Sequence, residues 1–164
     1  MTVSRRLLLT LPALSWLPAS AQTAAATLDP RLRKRAERAV AGGLHYLRGQ
    51  QAPDGSLMGS VGVTALMLRA FLESPEAYTE NDGPFIARPL EYILSKARPD
   101  GAISAQLQGT AYNTAVAINA LVATKNRKYD DVIAAGRKFL ISHQADEDQG
   151  YKPDHPFYGG VGYG

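Results

Sequence analysis

The sequence has no cysteine. That excludes disulfides, thiolate nucleophiles and cysteine-ligated zinc. It leaves the compartment open, because an exported protein need not carry disulfides. A membrane-length apolar run is missing too. The best candidate, Leu7 to Leu17, covers about 11 residues and contains Pro12, against the roughly 20 needed to cross a bilayer. No transmembrane anchor is expected. Charge imbalance is slight. The net charge is +3, but Arg5 and Arg6 stand in a segment that reads as removable. Without them, 16 basic residues face 15 acidic ones, leaving +1. The basic balance therefore implies no nucleic-acid partner. What remains, 164 residues with 45% hydrophobic and 20% charged content, is the composition of one globular domain.

Residues 1 to 26 read as an export signal. Ser4-Arg5-Arg6 resembles a twin-arginine start, the apolar run follows, and Pro18-Ala19-Ser20-Ala21 offers small residues for cleavage near Ala21. An ordinary secretory signal is the alternative. Either places the protein outside the cytoplasm, in the periplasm or beyond.

Residues 27 to 164 carry a repeat. Pro53-Asp54-Gly55 returns as Pro99-Asp100-Gly101, 46 residues later, and Tyr46-Leu47 returns as Tyr92-Ile93 at the same interval. A fixed period of this size marks stacked supersecondary units. Each Pro-Asp-Gly turn separates an amphipathic helix from a mostly apolar one. The first helix opens at Asp29-Pro30, where Asp accepts from free first-turn amides and Pro suits the first helical position. Leu32, Ala36, Ala39, Val40, Gly43, Leu44 and Leu47 make one apolar stripe. Gly42-Gly43 inside it costs helix propensity, and close packing against a neighbour is the expected compensation. The basic run Arg31, Arg33, Lys34, Arg35 and Arg38 reads as a solvated face, with a membrane-surface patch as the alternative.

Apolar helices are expected over 62–72 and 110–123. Amphipathic ones are expected over 85–97, with Pro89 restarting the helix, and over 130–143, capped by Asp130. In a third repeat, Phe139-Leu140 matches the earlier aromatic pairs and Gln144 takes the place of Gln51. Asp146 to Tyr151 then reads as a degenerate third turn. The expected class is all-α: an α/α toroid of stacked hairpins, incomplete at about two and a half of them. A longer protein, of which this is the N-terminal part, is the expectation.

Outer amphipathic helix, Gln51 with Asp54-Gly55-Ser56, Asp100-Gly101, and inner helices opening on Val63-Thr64-Ala65 and Asn113-Thr114-Ala115: this resembles the prenyltransferase and squalene oxidase repeat. The resemblance extends over residues 33–164. Its third copy holds Gln144, Gly150-Tyr151 and Phe157 to Gly164. Leu57 and Ile103 stand where cyclase repeats carry tryptophan, which implies a simpler toroid. The resemblance implies an exported squalene-cyclase-like protein with an apolar, isoprenoid-type ligand.

Cyclases of this kind use an acid in a D-x-D-D motif, and the nearest match is Asp146-Glu147-Asp148-Gln149, with Gln in the last place. Asp146 and Asp148 are the catalytic candidates, and a solvated turn is the competing reading. Prenyltransferases hold zinc through a cysteine, which this chain lacks. His45, His143 and His155 have no tight metal spacing, and three acids alone do not define a calcium site, so no metal and no cofactor is expected. Tyr112, Asn113, Tyr158 and Tyr163 are the ligand-binding candidates. Inner-helix starts and their loops line the cavity in a toroid, and aromatic faces grip apolar groups. A polysaccharide lyase-like enzyme and a non-enzymatic interaction module are the alternatives.

Overall fold

The computed structural model describes residues 29–163. The leader read at residues 1 to 26 lies outside them. The described residues are helical, with only isolated bridge pairs in place of strands. The five helices are α1 (Pro30–Gly49), α2 (Val61–Leu72), α3 (Pro84–Leu94), α4 (Thr110–Ala123) and α5 (Asp130–Ser142).

Side chains cap the starts of α1 and α2, whereas α3 and α4 start after glycines that make no cap bond. The Asp29 carboxylate accepts from the Arg31 amide at 2.8 Å and Pro30 opens α1. The Ser60 hydroxyl caps α2. The expected cap at Asp130 is not made in α5 either. Its cap position is Tyr129, at the end of a short 3-10 turn, and Asp130 is the first helical residue. There its charge, with that of Asp131, faces the positive end of the helix dipole instead of bonding a free amide.

The mostly apolar helices α2 and α4 pack on each other, α3 packs on α2, and α5 packs on α4. Leu68, Phe71, Ile86, Ile93, Ile103 and Leu121 are completely enclosed in the resulting core. Phe71, Tyr78 and Phe85 meet edge to face at 5.3–5.9 Å, the geometry that aromatic quadrupoles favour. α1 joins this core only near its end, through buried Leu44 and half-buried Leu47. The expected tight packing at Gly42 and Gly43 is absent. A side-chain carbon added at either would meet nothing within 4 Å.

Each Pro-Asp-Gly turn is closed by the same bonds. Ala52 N donates to Ser56 O at 2.9 Å and Gly55 N to Ala52 O at 2.8 Å. One period later Arg98 N donates to Ala102 O and Gly101 N to Arg98 O. The Asp54 and Asp100 carboxylates accept from the amides of Ser56 and Ala102. The next residue is clasped from the inner helix. Leu57 N donates to Thr64 Oγ1 and Ile103 N to Thr114 Oγ1, both at 2.9 Å. These threonines are fully buried, so the sequence signal at the inner-helix starts is a turn-to-helix clasp.

The third turn obeys the same rule at a different place. Ala145 N donates to Gly160 O and Gly159 N to Ala145 O, both at 2.7 Å. Gly159 has φ +79°, against +83° at Gly55 and +90° at Gly101. The turn is thus Gly159-Gly160, not Asp146 to Tyr151. Fifteen residues separate Ala145 from Gly160 where four separate Ala52 from Ser56, an insertion of 11. The acidic segment lies inside that insertion.

Pro89 does not restart α3, which runs unbroken from Pro84 to Leu94. Proline removes the bond its amide would give to the carbonyl four residues back, that of Phe85. Gln51 supplies it instead, its Nε2 donating to Phe85 O at 2.9 Å. By the turn bonds, Ala97 occupies the place of Gln51 in the second repeat, and Gly136, which keeps its N–H, that of Pro89. The donor and the need for it are absent together.

The outer loops are tied by Glu80. Its carboxylate accepts from Asn126 Nδ2 at 2.6 Å and Tyr129 Oη at 2.7 Å, and pairs with Lys128 at 2.8 Å. Lys128 foremost, then Tyr129, holds the carboxyl below its usual range. A carboxyl lowered on folding stabilises the protein above its unfolded value of about 4.3 and loses that contribution as pH falls through the lower folded value. Melting temperature should therefore drop more steeply below about pH 4.3 in the native protein than in Glu80→Gln. Parallel curves from pH 6 to 3 would refute the tie.

Candidate functional site

The start of α4 lies between α5 and the third turn, and three adjoining cavities open there. One of about 450 Å³ is lined by Leu107, Thr110, Ala111, Phe139 and His143, with Arg98 and Asp100 at its edge. A second of about 390 Å³ shares Ala111 and adds Tyr112, Ala115, Leu140, Val161 and Tyr163. A third of about 380 Å³ shares Val161 and adds Tyr151, Pro156, Phe157 and Tyr158. Together they form a largely apolar trough along the inner-helix start.

Tyr112 and Tyr163, 51 residues apart, are brought together. Their rings stack at 5.4 Å and 21°. Gly109 permits this. It takes φ +69°, and a Cβ there would lie 3.0 Å from the Tyr163 ring. Tyr158 stands in the adjoining cavity. Its hydroxyl donates to both Glu147 carboxylate oxygens, at 2.9 and 3.0 Å, and that carboxylate raises the hydroxyl above its usual range.

Asn113 is used by the fold. Its side-chain oxygen accepts from Gly62 N in α2 at 3.1 Å, and its amide donates to Ser104 Oγ at 3.1 Å. It joins the two inner helices and is buried among them. Asp146 accepts from Asp148 N at 3.1 Å and caps the short turn Glu147–Gln149, and Asp148 is exposed. Neither lines the trough. Among the described residues no group of three or more His, Asp or Glu side chains is placed to hold a metal, and no helix is long and apolar enough to cross a membrane.

His143 ends α5 with Nδ1 2.8 Å from the Phe139 carbonyl, so it caps the helix. Arg98, at the edge of the trough, is paired with Asp100. Arg98, Asp100, Thr110, Ser142 and the Tyr158 hydroxyl are thus engaged internally, and most of the remaining lining is aromatic and aliphatic. Sequence reasoning read Leu140, Phe157 and Val161 as parts of the third repeat and not as site residues. A usable signal existed for Val161, which takes the repeat position of Leu57 and Ile103 and bridges Gln144 as Ile103 bridges Ala97.

Comparison with family models, with curated proteins and with solved structures finds no match for this chain.

Proposed function

We propose that this is an exported protein of the prenyltransferase and squalene oxidase repeat type, an α/α toroid holding an apolar, isoprenoid-like ligand in the trough at its inner-helix starts. The toroid reading is supported by inner helices packed on each other, outer helices packed outside them and one turn used three times. The observation that carries the ligand reading is the Tyr112–Tyr163 stack, which walls an apolar trough where the resemblance puts a cavity. The activity proposed is binding. Asp146, half-buried, and Asp148, exposed, lie in the third-turn insertion, and neither lines the trough.

The test is thermal denaturation of the full chain with squalene and with a polyprenyl alcohol, each carried in cyclodextrin. A ligand at about 100 times its dissociation constant adds about 2.7 kcal/mol to stability. The melting temperature should rise by several degrees with at least one of them, and Tyr112→Ala should abolish the rise. No shift with either compound, or a shift that Tyr112→Ala leaves intact, removes the reading.

A further inference from the structure

The three cavities of the trough differ in one respect. Charged side chains line only the first, where Arg98, Asp100 and His143 stand. That end is built by two departures of the second repeat from the first. Leu57 is clasped by Thr64, seven residues on, whereas Ile103 is clasped by Thr114, 11 residues on. The second turn thus reaches its inner helix through a loop longer by four residues, and Leu107 of that loop edges the cavity. The other departure is Phe139, which takes the repeat position of Tyr92. The Tyr92 hydroxyl donates to Gly59 O at 2.7 Å and ties α3 to the short loop of the first repeat. Phe139 has no hydroxyl to do this. The long loop closes on itself instead, Ser104 Oγ donating to Gln106 O at 2.8 Å and Thr110 Oγ1 to Leu107 O at 2.7 Å. A cavity of about 450 Å³ is left between loop and α5.

Its polar groups keep unused hydrogen-bonding atoms of two kinds. Arg98 gives Nη2 to Asp100, and its Nε and Nη1 have no partner among the described residues. These are donors. His143 Nδ1 lies 2.8 Å from the Phe139 carbonyl, which only accepts. The proton of the neutral ring therefore sits on Nδ1, and Nε2 is left as an acceptor. Contact with Phe139, at 4.1 Å between ring centroids, holds the imidazole in place. A hydroxyl head uses both kinds at once, its oxygen accepting from Arg98 and its proton going to His143. An ionised phosphate only accepts, and it would meet the Asp100 carboxylate beside Arg98. A hydrocarbon end would desolvate both groups and pair neither.

We propose that the ligand is an alcohol with a long apolar chain, its hydroxyl at the Arg98–His143 end and its chain along Ala111, Leu140 and Val161. This rests on the apolar-ligand reading of the trough and adds the head group and the direction of the chain.

Three probes of one chain length test it on the full chain: a polyprenyl alcohol, the hydrocarbon lacking its hydroxyl, and its phosphate monoester, each carried in cyclodextrin. Dissociation constants follow from the rise in melting temperature with ligand concentration, each variant measured against its own ligand-free value. The alcohol should bind about tenfold tighter than the hydrocarbon, the worth of one hydrogen bond to a charged group. Arg98→Met keeps an apolar stem and His143→Phe keeps a ring on Phe139. Each should remove the alcohol's advantage and leave the hydrocarbon's affinity as it was. Equal affinity for alcohol and hydrocarbon, a phosphate monoester that binds tighter than the alcohol, or an advantage that survives both substitutions would overturn the head-group assignment and leave the apolar-ligand reading standing. Binding of none of the three removes both.

Discussion

Gly55→Ala is expected to lower stability by about 2–5 kcal/mol, the sum of a positive-φ penalty and an overpacked contact. Gly55 adopts φ +83°, and its turn is seated directly on α3. An added Cβ would lie 2.4 Å from the Arg88 carbonyl carbon and 2.5 Å from Pro89 N. Those are backbone atoms of a helix, so no side chain can swing away to make room. Gly150→Ala separates the two effects. Gly150 has a similar φ of +80° but open space around it, so only the backbone penalty of about 1–2 kcal/mol applies. Urea unfolding of both variants gives the comparison. Equal losses would mean that the turn is not seated on the following helix.

The second large effect is expected at Gln51. Gln51→Leu removes the donor to the Phe85 carbonyl and leaves a part-buried acceptor unpaired, at about 1–3 kcal/mol. The loss should depend on Pro89. Pro89→Ala restores an amide four residues beyond Phe85, and in that background Gln51→Leu should cost little. A double-mutant cycle should therefore show a coupling of about 1–2 kcal/mol. Additive losses would mean that Gln51 acts through packing alone, for instance against the Met67 sulfur, 3.6 Å from its amide nitrogen.

These two sites show which parts of the fold were legible. Period and turn chemistry are local, so the Pro-Asp-Gly turns and the span of α4 followed from the residues themselves. Pro89 was misread because its missing bond is replaced by a side chain 38 positions earlier, and no local rule anticipates a donor from another hairpin. The third turn was misplaced because its backbone bonds skip an insertion. Asp146 to Tyr151 carries the right residue types in the wrong register, and Gly159 carries the conformation. Gly42-Gly43 was expected to be packed because repeat neighbours pack, and α1 has none there among the described residues. Tyr112 and Tyr163, read as neighbours of an inner-helix start, stack on each other and line the trough. Asn113 shares that position but serves the join to Gly62, and residue type alone cannot separate the two uses.

The third turn has a consequence for how such a protein can change. Its two closing bonds are made by main-chain atoms, so they place no demand on the side chains between them. Closing 15 residues instead of four costs only about 1 kcal/mol in loop entropy. The stretch between Ala145 and Gly159 is in effect a replaceable cassette held at the mouth of the trough. New lengths and chemistries can be tried there while the helices behind it keep their register.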